Sequence, residues 1–271
     1  MSTSPPISLE FLGSGTSTGV PCIGCDCAVC KSTDPRNKRL RPSVLVRRGE
    51  TALVVDTGPD FREQMLRSKV THIDALLITH YHADHVVGID DVRRFNMLQK
   101  KVIDCWADAQ TALRIKHSFG YVFTDTLRPG LPNLTHKEIK LGEPFVIGKL
   151  RIEAFPTDHQ VIPNIALKFT AAESAPEKTK TLAYVLDCKR IPDATVEALK
   201  GVDTLVLDML RDAVHPTHVN FEEAIAYVKQ IAPRRVFFSH MAHEVDHATF
   251  EAKLPEHIRL AYDGLIIDVP Q

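Results

Sequence analysis

"ITHYHADHVVG", residues 78–88, decides how the chain is read. It sets His80, His82, Asp84 and His85 within six residues, directly after the apolar run of "IDALLI". A continuous apolar run of this kind is the pattern of a strand buried on both faces. Side chains just past such a strand lie in a loop at the sheet edge, where several can converge on one point. His80 and His82, two apart in an extended segment, share a side and can grip one ion. Asp84 and His85 open the next turn and can face a second. Imidazoles mixed with carboxylates suit zinc, manganese or iron in sites that keep a position open for substrate. A histidine-rich surface loop is the plainer alternative, and four such donors packed behind a buried strand argue against it.

Working outward, other apolar runs end in the same kind of residue. His159 follows "LRIEAFPT", Asp187 ends "TLAYVLD", and His240 ends "RRVFFS". Taken singly each reads as a satisfied polar residue. Joined to the first cluster they complete the seven ligands of a two-metal centre. The remaining pattern alternates hairpins with helix-linked strands in two similar halves. "SVLVRR" and "TALVVDTG" flank the Gly49-Glu50 turn signal, and helices are expected at "DFREQMLRS", "DAQTALRIKHSF" and "PDATVEALK". Phe221, Ala224, Ile225, Val228 and Ile231 form one helical stripe. Residues 120–135 read as a long loop, and "TAAESAPEKTK" as a hairpin loop. An α/β (α+β) fold of two mixed sheets between outer helices is expected, as one domain over 1–271 with a cysteine loop at 22–30.

Composition sets the surroundings. The chain has 271 residues, 44% hydrophobic and 25% charged, with a formal net charge of −1. That balance gives no global pull toward nucleic acid or anionic membrane. "MSTSPPISLEFLG" lacks the basic and apolar segments of a secretory signal, and no apolar run nears the ~18 residues of a membrane span. A cytoplasmic location is expected, where six cysteines stay reduced and favour thiolate–metal chemistry over disulfides.

The His80–His85 motif, preceded by "VVDTG" at Asp56 and followed by His159, Asp187 and His240, resembles the metallo-β-lactamase superfamily. The resemblance spans nearly the whole chain. It implies an αββα sandwich with a dinuclear site at one edge. It also implies that His80, His82 and His159 hold one metal, that Asp84, His85 and His240 hold the other, and that Asp187 bridges them. Asp56 would then orient a ligand, as metal-bound imidazoles usually require; from the residues alone a strand-end turn role is equally open.

"GCDCAVC" raises a separate question, because Cys25, Cys27 and Cys30 supply only three thiolates where a structural zinc takes four ligands. The favoured fourth is His243 in "SHMAH", with Cys22 and His247 as competitors. The same segments resemble the phosphoribosyl cyclic phosphodiesterase branch of the superfamily, which acts in phosphonate breakdown and in which this cysteine loop and the second histidine of H-x-x-H hold zinc. "GSGTSTG" lacks the lysine of a phosphate loop and reads as a turn folding the cysteine loop back over the sheet. The basic stretch Lys31 to Arg41 reads as solvated surface that could help attract an anionic substrate.

The resemblance implies hydrolysis of a small cyclic or nucleotide-like phosphodiester by a hydroxide bridging two divalent metals, zinc or manganese, besides the structural zinc. Catalytic roles fall to Asp84, which could orient the nucleophile, and to His218. The latter corresponds, in the resembling phosphodiesterases and in RNase Z enzymes, to a histidine that contacts phosphate and acts as general acid. A helix-capping role for His218 is its alternative. Acyl hydrolysis of a lactone, thioester or β-lactam, RNase Z-like processing, and a non-catalytic nucleotide-sensing module are the competing readings. No stable nucleic-acid partner is expected, and a homodimer is left open.

Overall fold

The structure, a computed structural model, describes residues 5–173 and 180–269. Most of the "TAAESAPEKTK" hairpin loop therefore lies outside the described residues. The first half runs β1 (Ser8–Gly13), α1 (Ala28–Lys31), β2 (Ser43–Arg48), β3 (Thr51–Val55), α2 (Phe61–Ser68), β4 (Ala75–Leu77), α3 (Ala83–Val86), α4 (Arg93–Gln99), β5 (Ile103–Ala107), α5 (Ala109–Phe119) and β6 (Leu134–Glu138). The second runs β7 (Phe145–Ile147), β8 (Leu150–His159), β9 (Ile162–Ala171), β10 (Leu182–Val185), α6 (Asp193–Ala198), β11 (Thr204–Asp208), α7 (Phe221–Ile231), β12 (Arg235–Ser239), α8 (His247–Glu251), β13 (Ile258–Leu260) and β14 (Ile266–Asp268).

Two seven-stranded sheets result, ordered β14-β1-β2-β3-β4-β5-β6 and β13-β12-β11-β10-β9-β8-β7. Each is antiparallel along its hairpins and parallel where helices make the crossovers. The alternation of side chains along a strand explains why the central ones read as unbroken apolar runs. Val44, Val46, Leu53, Val55 and Leu77 meet Leu167, Tyr184, Val206 and Phe237 of the facing sheet in one shared core. Their neighbours Leu45, Val54 and Leu76 point outward, beneath Phe61, Met65, Val92 and Phe95. On the far side Val185, Leu205, Leu207 and Phe238 lie under the stripe of α7. This is the αββα sandwich. No helix among the described residues is long and apolar enough to cross a membrane.

Two expectations change. The loop placed at 120–135 ends in a strand, since Leu134–Glu138 pairs in parallel with β5 as an edge strand. Only Leu134 of it is buried, so it carried no apolar alternation to read. The chain also ends with two strands instead of one. β14 returns to the first sheet and pairs with β1, a long-range pairing with no local signal.

The sandwich brings the ends of β3, β4, β8, β10, β11 and β12 to one rim. Backbone strain gathers there. Among the described non-glycine residues with positive φ, Lys69, Lys100 and Ala232 end helices α2, α4 and α7, an ordinary left-handed cap. The others are Asp56 (64°), Gln160 (56°), Asp187 (55°) and His240 (65°), all at the rim. Such conformations cost about 1–3 kcal/mol each and persist only where the surroundings impose them.

The rim also depends on backbone packed on backbone. A Cβ on Gly88 would stand 2.0 Å from the Gly58 carbonyl oxygen, and one on Gly58 2.1 Å from that of Asp84. Thr57 donates its amide to the His85 carbonyl (2.7 Å), and Gly88 donates to Thr57 (2.8 Å). Gly88→Ala is therefore expected to cost about 1–3 kcal/mol through overpacking and to displace the loop bearing Asp84 and His85. Thermal unfolding combined with metal titration checks both effects.

Candidate metal centre

Asp187 sits at the focus of the rim. Its carboxylate lies 3.3 Å from His80 Nε2, 3.0 Å from His85 Nε2, 3.3 Å from His159 Nε2, 3.1 Å from His218 Nδ1 and 3.6 Å from His240 Nε2. Donor atoms of His80, His82, His159 and Asp187 fall within 4.8 Å of one another, and so do those of Asp84, His85, Asp187 and His240. The structure thus brings all seven sequence-predicted ligands together, in two groups that share Asp187. Either group could hold a metal ion.

Several donors have no other employment. Asp84 Oδ2, Asp187 Oδ1 and both ring nitrogens of His240 are buried without a hydrogen-bond partner. Leaving such groups unpaired is costly, so the arrangement fits residues waiting for a cation. Electrostatics agree. Burial opposes charge on His85, yet Asp56, Asp84 and Asp187 around it push its pKa well above the usual imidazole range. Burial likewise opposes ionisation of Asp187, and His240 with His80 and His85 overcomes it and holds its pKa well below the usual carboxylate range. His80, desolvated and beside His85, is pushed down to about 4 and so presents a neutral, ligating ring.

Asp56 lies behind the ligands. Its Oδ2 is 2.8 Å from His85 Nδ1 and accepts from Thr79 Oγ1 at 2.9 Å, while Oδ1 accepts the Thr79 amide at 2.8 Å. That fixes the His85 ring with Nε2 facing Asp187, the arrangement that orients a metal-bound imidazole.

His218 reaches the same focus, with Nδ1 3.4 Å from Asp208 Oδ2 as well as close to Asp187. It does not cap α7; Asn220 does, in a reciprocal capping box with Glu223. Asp208 was missed in the sequence. It is fully buried, anchors the Cys188 amide at 3.0 Å, and stands 3.8 Å from His240 Nδ1. Its signal was present: Asp208 closes "DTLVLD" as Asp56 and Asp187 close their own strands. Burial lowers the His218 pKa and the hydrogen bond to Asp208 raises it, leaving a net rise.

The cavity over these groups measures about 210 Å³ and is lined by metal-site residues together with Ser17, Gln160, Val161, Ile162 and Thr217. A larger groove, about 560 Å³, runs between α2 and α4 but is mainly apolar and holds none of the candidate ligands.

The structure places His243 beside the three cysteines. His243 Nδ1 lies 3.2 Å from Cys25 Sγ, 3.5 Å from Cys27 Sγ and 3.7 Å from Cys30 Sγ, and the four donors fall within 4.8 Å of one another. Cys22 turns its thiol to the Gly19 carbonyl at 3.3 Å, and His247 is buried against Glu251 at 3.3 Å. Neither competitor enters the group. Buried Arg39 braces the loop carrying His243 by donating to the carbonyls of Ala242 (3.1 Å) and Val245 (2.8 Å).

Comparison with known proteins follows this geometry. A family model described as a beta-lactamase superfamily domain matches residues 51–241. A solved diphosphatase of the PhnP family is 35% identical, superposes with a TM-score of 0.87, and is covered over 98% of both chains. An octanoyltransferase of Porphyromonas gingivalis is 35% identical over 95% of this chain, which spans 51% of that protein, about half its length. Coenzyme PQQ synthesis protein B of Methylobacterium sp. (strain 4-46) is 28% identical over 73% of this chain and 71% of its own.

Asp56→Asn, which keeps the shape but weakens the hold on His85, is expected to lower metal affinity about 10–100-fold with little change in the fold. Competition titration with a chromophoric chelator, alongside circular dichroism, measures the two separately.

Proposed function

The chain belongs to the metallo-β-lactamase superfamily, near its PhnP branch, and from that premise we propose a dinuclear metal-dependent phosphodiesterase acting on a small cyclic or nucleotide-like phosphodiester. The coarser statement, a hydrolase of this fold, follows from the family itself. The observation that carries the finer one is Asp187, shared between two ligand groups, with His218 on the open side of the same carboxylate.

On this reading His80, His82 and His159 would hold one divalent cation and Asp84, His85 and His240 another, with Asp187 available to both groups; zinc and manganese are both compatible with these donors. Bound there, the pair supplies Lewis acidity and a water acidified toward neutrality. Cys25, Cys27, Cys30 and His243 hold a zinc with a structural role. The whole sandwich serves as one domain.

The protein's own groups do the rest. His218, with Nδ1 facing Asp187 and Asp208, leaves Nε2 without a hydrogen-bond partner among the described residues. The hydrogen bond to Asp208 and the surrounding carboxylates outweigh burial and favour the protonated ring, from which Nε2 can donate a proton to the leaving alkoxide oxygen. Asp208, 3.4 Å from Nδ1, can accept the hydrogen on that nitrogen and keep it there once Nε2 has given up its own. Asp84, whose side chain is only 12% exposed, lines the cavity and can orient the attacking water. The solved PhnP-family relative at 35% identity is a diphosphatase, which supports phosphoryl over acyl chemistry.

His218→Ala is expected to keep its metals and lose a factor of about 10²–10⁴ in turnover of a small phosphodiester. Unchanged turnover at full metal occupancy removes His218 from the mechanism. In elemental analysis the wild-type chain should carry three metals, and Cys27→Ser should lose one zinc while the other two remain.

A further inference from the structure

We propose that Ser17 is a further catalytic residue, whose hydroxyl donates a hydrogen bond to a non-bridging oxygen of the reacting phosphate and strengthens it as charge builds there. The inference rests on the phosphodiesterase reading and adds to it a donor from a separate segment of the chain.

The loop from Gly13 to Gly19 is fixed on both sides of Ser17. Ser14 donates its amide (2.9 Å) to buried Asp263, Gly15 donates to the Leu40 carbonyl at 2.9 Å, and Gly19 donates to the Thr16 carbonyl at 2.8 Å. That last bond closes a tight turn with Ser17 and Thr18 at its centre. Crowding explains the glycines before it. A Cβ on Gly13 would fall 1.9 Å from the Arg41 carbonyl oxygen, and one on Gly15 2.9 Å from Arg39. Hydroxyls on either side are in use within the protein: that of Ser14 donates to Asp263 at 2.8 Å and that of Thr18 to the Gly19 carbonyl at 3.3 Å. Ser17 differs. It is exposed, and neither its amide nor its hydroxyl has a hydrogen-bond partner among the described residues.

The same loop is tied to the metal-site wall. Gly15 pairs in parallel with Met241, Met241 donates its amide to the Ser14 carbonyl at 3.0 Å, and Thr16 donates to the Met241 carbonyl at 3.2 Å. Met241 directly follows the candidate ligand His240, so the backbone that delivers Ser17 runs beside the one that delivers His240. Ser17 accordingly lines the cavity together with His82, Asp84, His159, Asp187 and His218.

Chemistry gives this donor its task. In an in-line displacement at phosphorus the entering and leaving oxygens stand opposite each other, and charge spreads over the oxygens between them. Asp84 serves the entering oxygen and His218 the leaving one. Among the described residues lining the cavity there is no lysine or arginine for the oxygens between. Thr217 also lines it, but its amide and hydroxyl lie 3.3 and 3.1 Å from His215 Nδ1. Gln160 tips the β8–β9 hairpin beside Val161, which is 91% exposed, and its longer side chain loses more rotamer freedom when fixed. A serine on a braced turn needs only one torsion set. A donor aimed in advance at developing charge is the kind that favours the transition state over the bound substrate.

The test uses the full chain loaded with metal, on a nucleoside 2′,3′-cyclic phosphate and on bis(4-nitrophenyl) phosphate. Ser17→Ala should lower kcat about 10- to 100-fold on both and change KM less than about threefold, as loss of a transition-state contact dictates. Ser17→Thr, which keeps the hydroxyl, should recover most of the loss. Calorimetric affinity for orthovanadate, whose five-coordinate form copies the displacement geometry, should fall by the same factor as kcat, and affinity for the nucleoside monophosphate product by less than about threefold. Metal content of both variants should match the wild type. Unchanged kcat in Ser17→Ala, a change confined to KM or to one substrate, equal weakening toward vanadate and product, or lost metal overturns this inference alone. Failure of the wild type to hydrolyse either diester at full metal occupancy overturns the phosphodiesterase reading and the inference with it.

Discussion

A single carboxylate organises the rim. Asp187 is buried against the nitrogens of His80, His85, His159, His218 and His240, every one within 3.6 Å. A buried anion surrounded by neutral rings would be expensive, and a buried anion among charged rings would crowd like charges. Positive charge shared at the centre relieves both costs. The strained backbone supports this ordering of causes: Asp56, Asp187 and His240 hold left-handed φ values at the points where β3, β10 and β12 hand over to the rim. The sandwich supplies stability far from the site, and the strand ends spend part of it on aiming side chains.

The second group of ligands is coupled to the first through one loop. His240 faces the central carboxylate and His243, three residues on, faces the three cysteine sulfurs. Between them Met241 pairs with Gly15, and beyond them Arg39 grips the carbonyls of Ala242 and Val245. Asn37 joins this brace by accepting the His247 amide (2.9 Å) and donating to Asp246 (2.8 Å). Segments 14–39 and 240–247, distant in sequence, thus form one wall, and a cation among the thiols would clamp it. A clamp suits this wall because His240 comes directly after β12 and the next helix, α8, begins only at His247.

Most of this was legible because two local signals carry it. Runs buried on both faces, such as "ALL" in β4 and "LAYV" in β10, betray central strands, and a polar residue closing such a run betrays a rim position. That rule found His80, His159, Asp187 and His240. Applied once more it would have found Asp208, which was passed over because "DTLVLDML" continues into apolar residues and hides the strand end. Long-range pairing could not be read. The edge strand Leu134–Glu138 owes its existence to β5, and Ile266–Asp268 to β1, while neither carries a two-residue periodicity of its own. Ser17 was illegible for a related reason, since only the packing of Gly13 and Gly15 against Arg41 and Arg39 turns the glycine-rich segment toward the cavity.

Size and charge together separate the competing substrates. A cavity of about 210 Å³ accepts a phosphate and a little more, so any polymer would have to lie across the rim with one linkage inserted. A polyanion held that way needs cations along its path, because each phosphate contact gains its energy from displaced counterions. The chain carries a net charge of −1, and among the described residues Arg41 is paired with Asp60 and Arg211 with Glu244. Val161, 91% exposed at the cavity mouth, offers apolar contact where a nucleic-acid track would need charge.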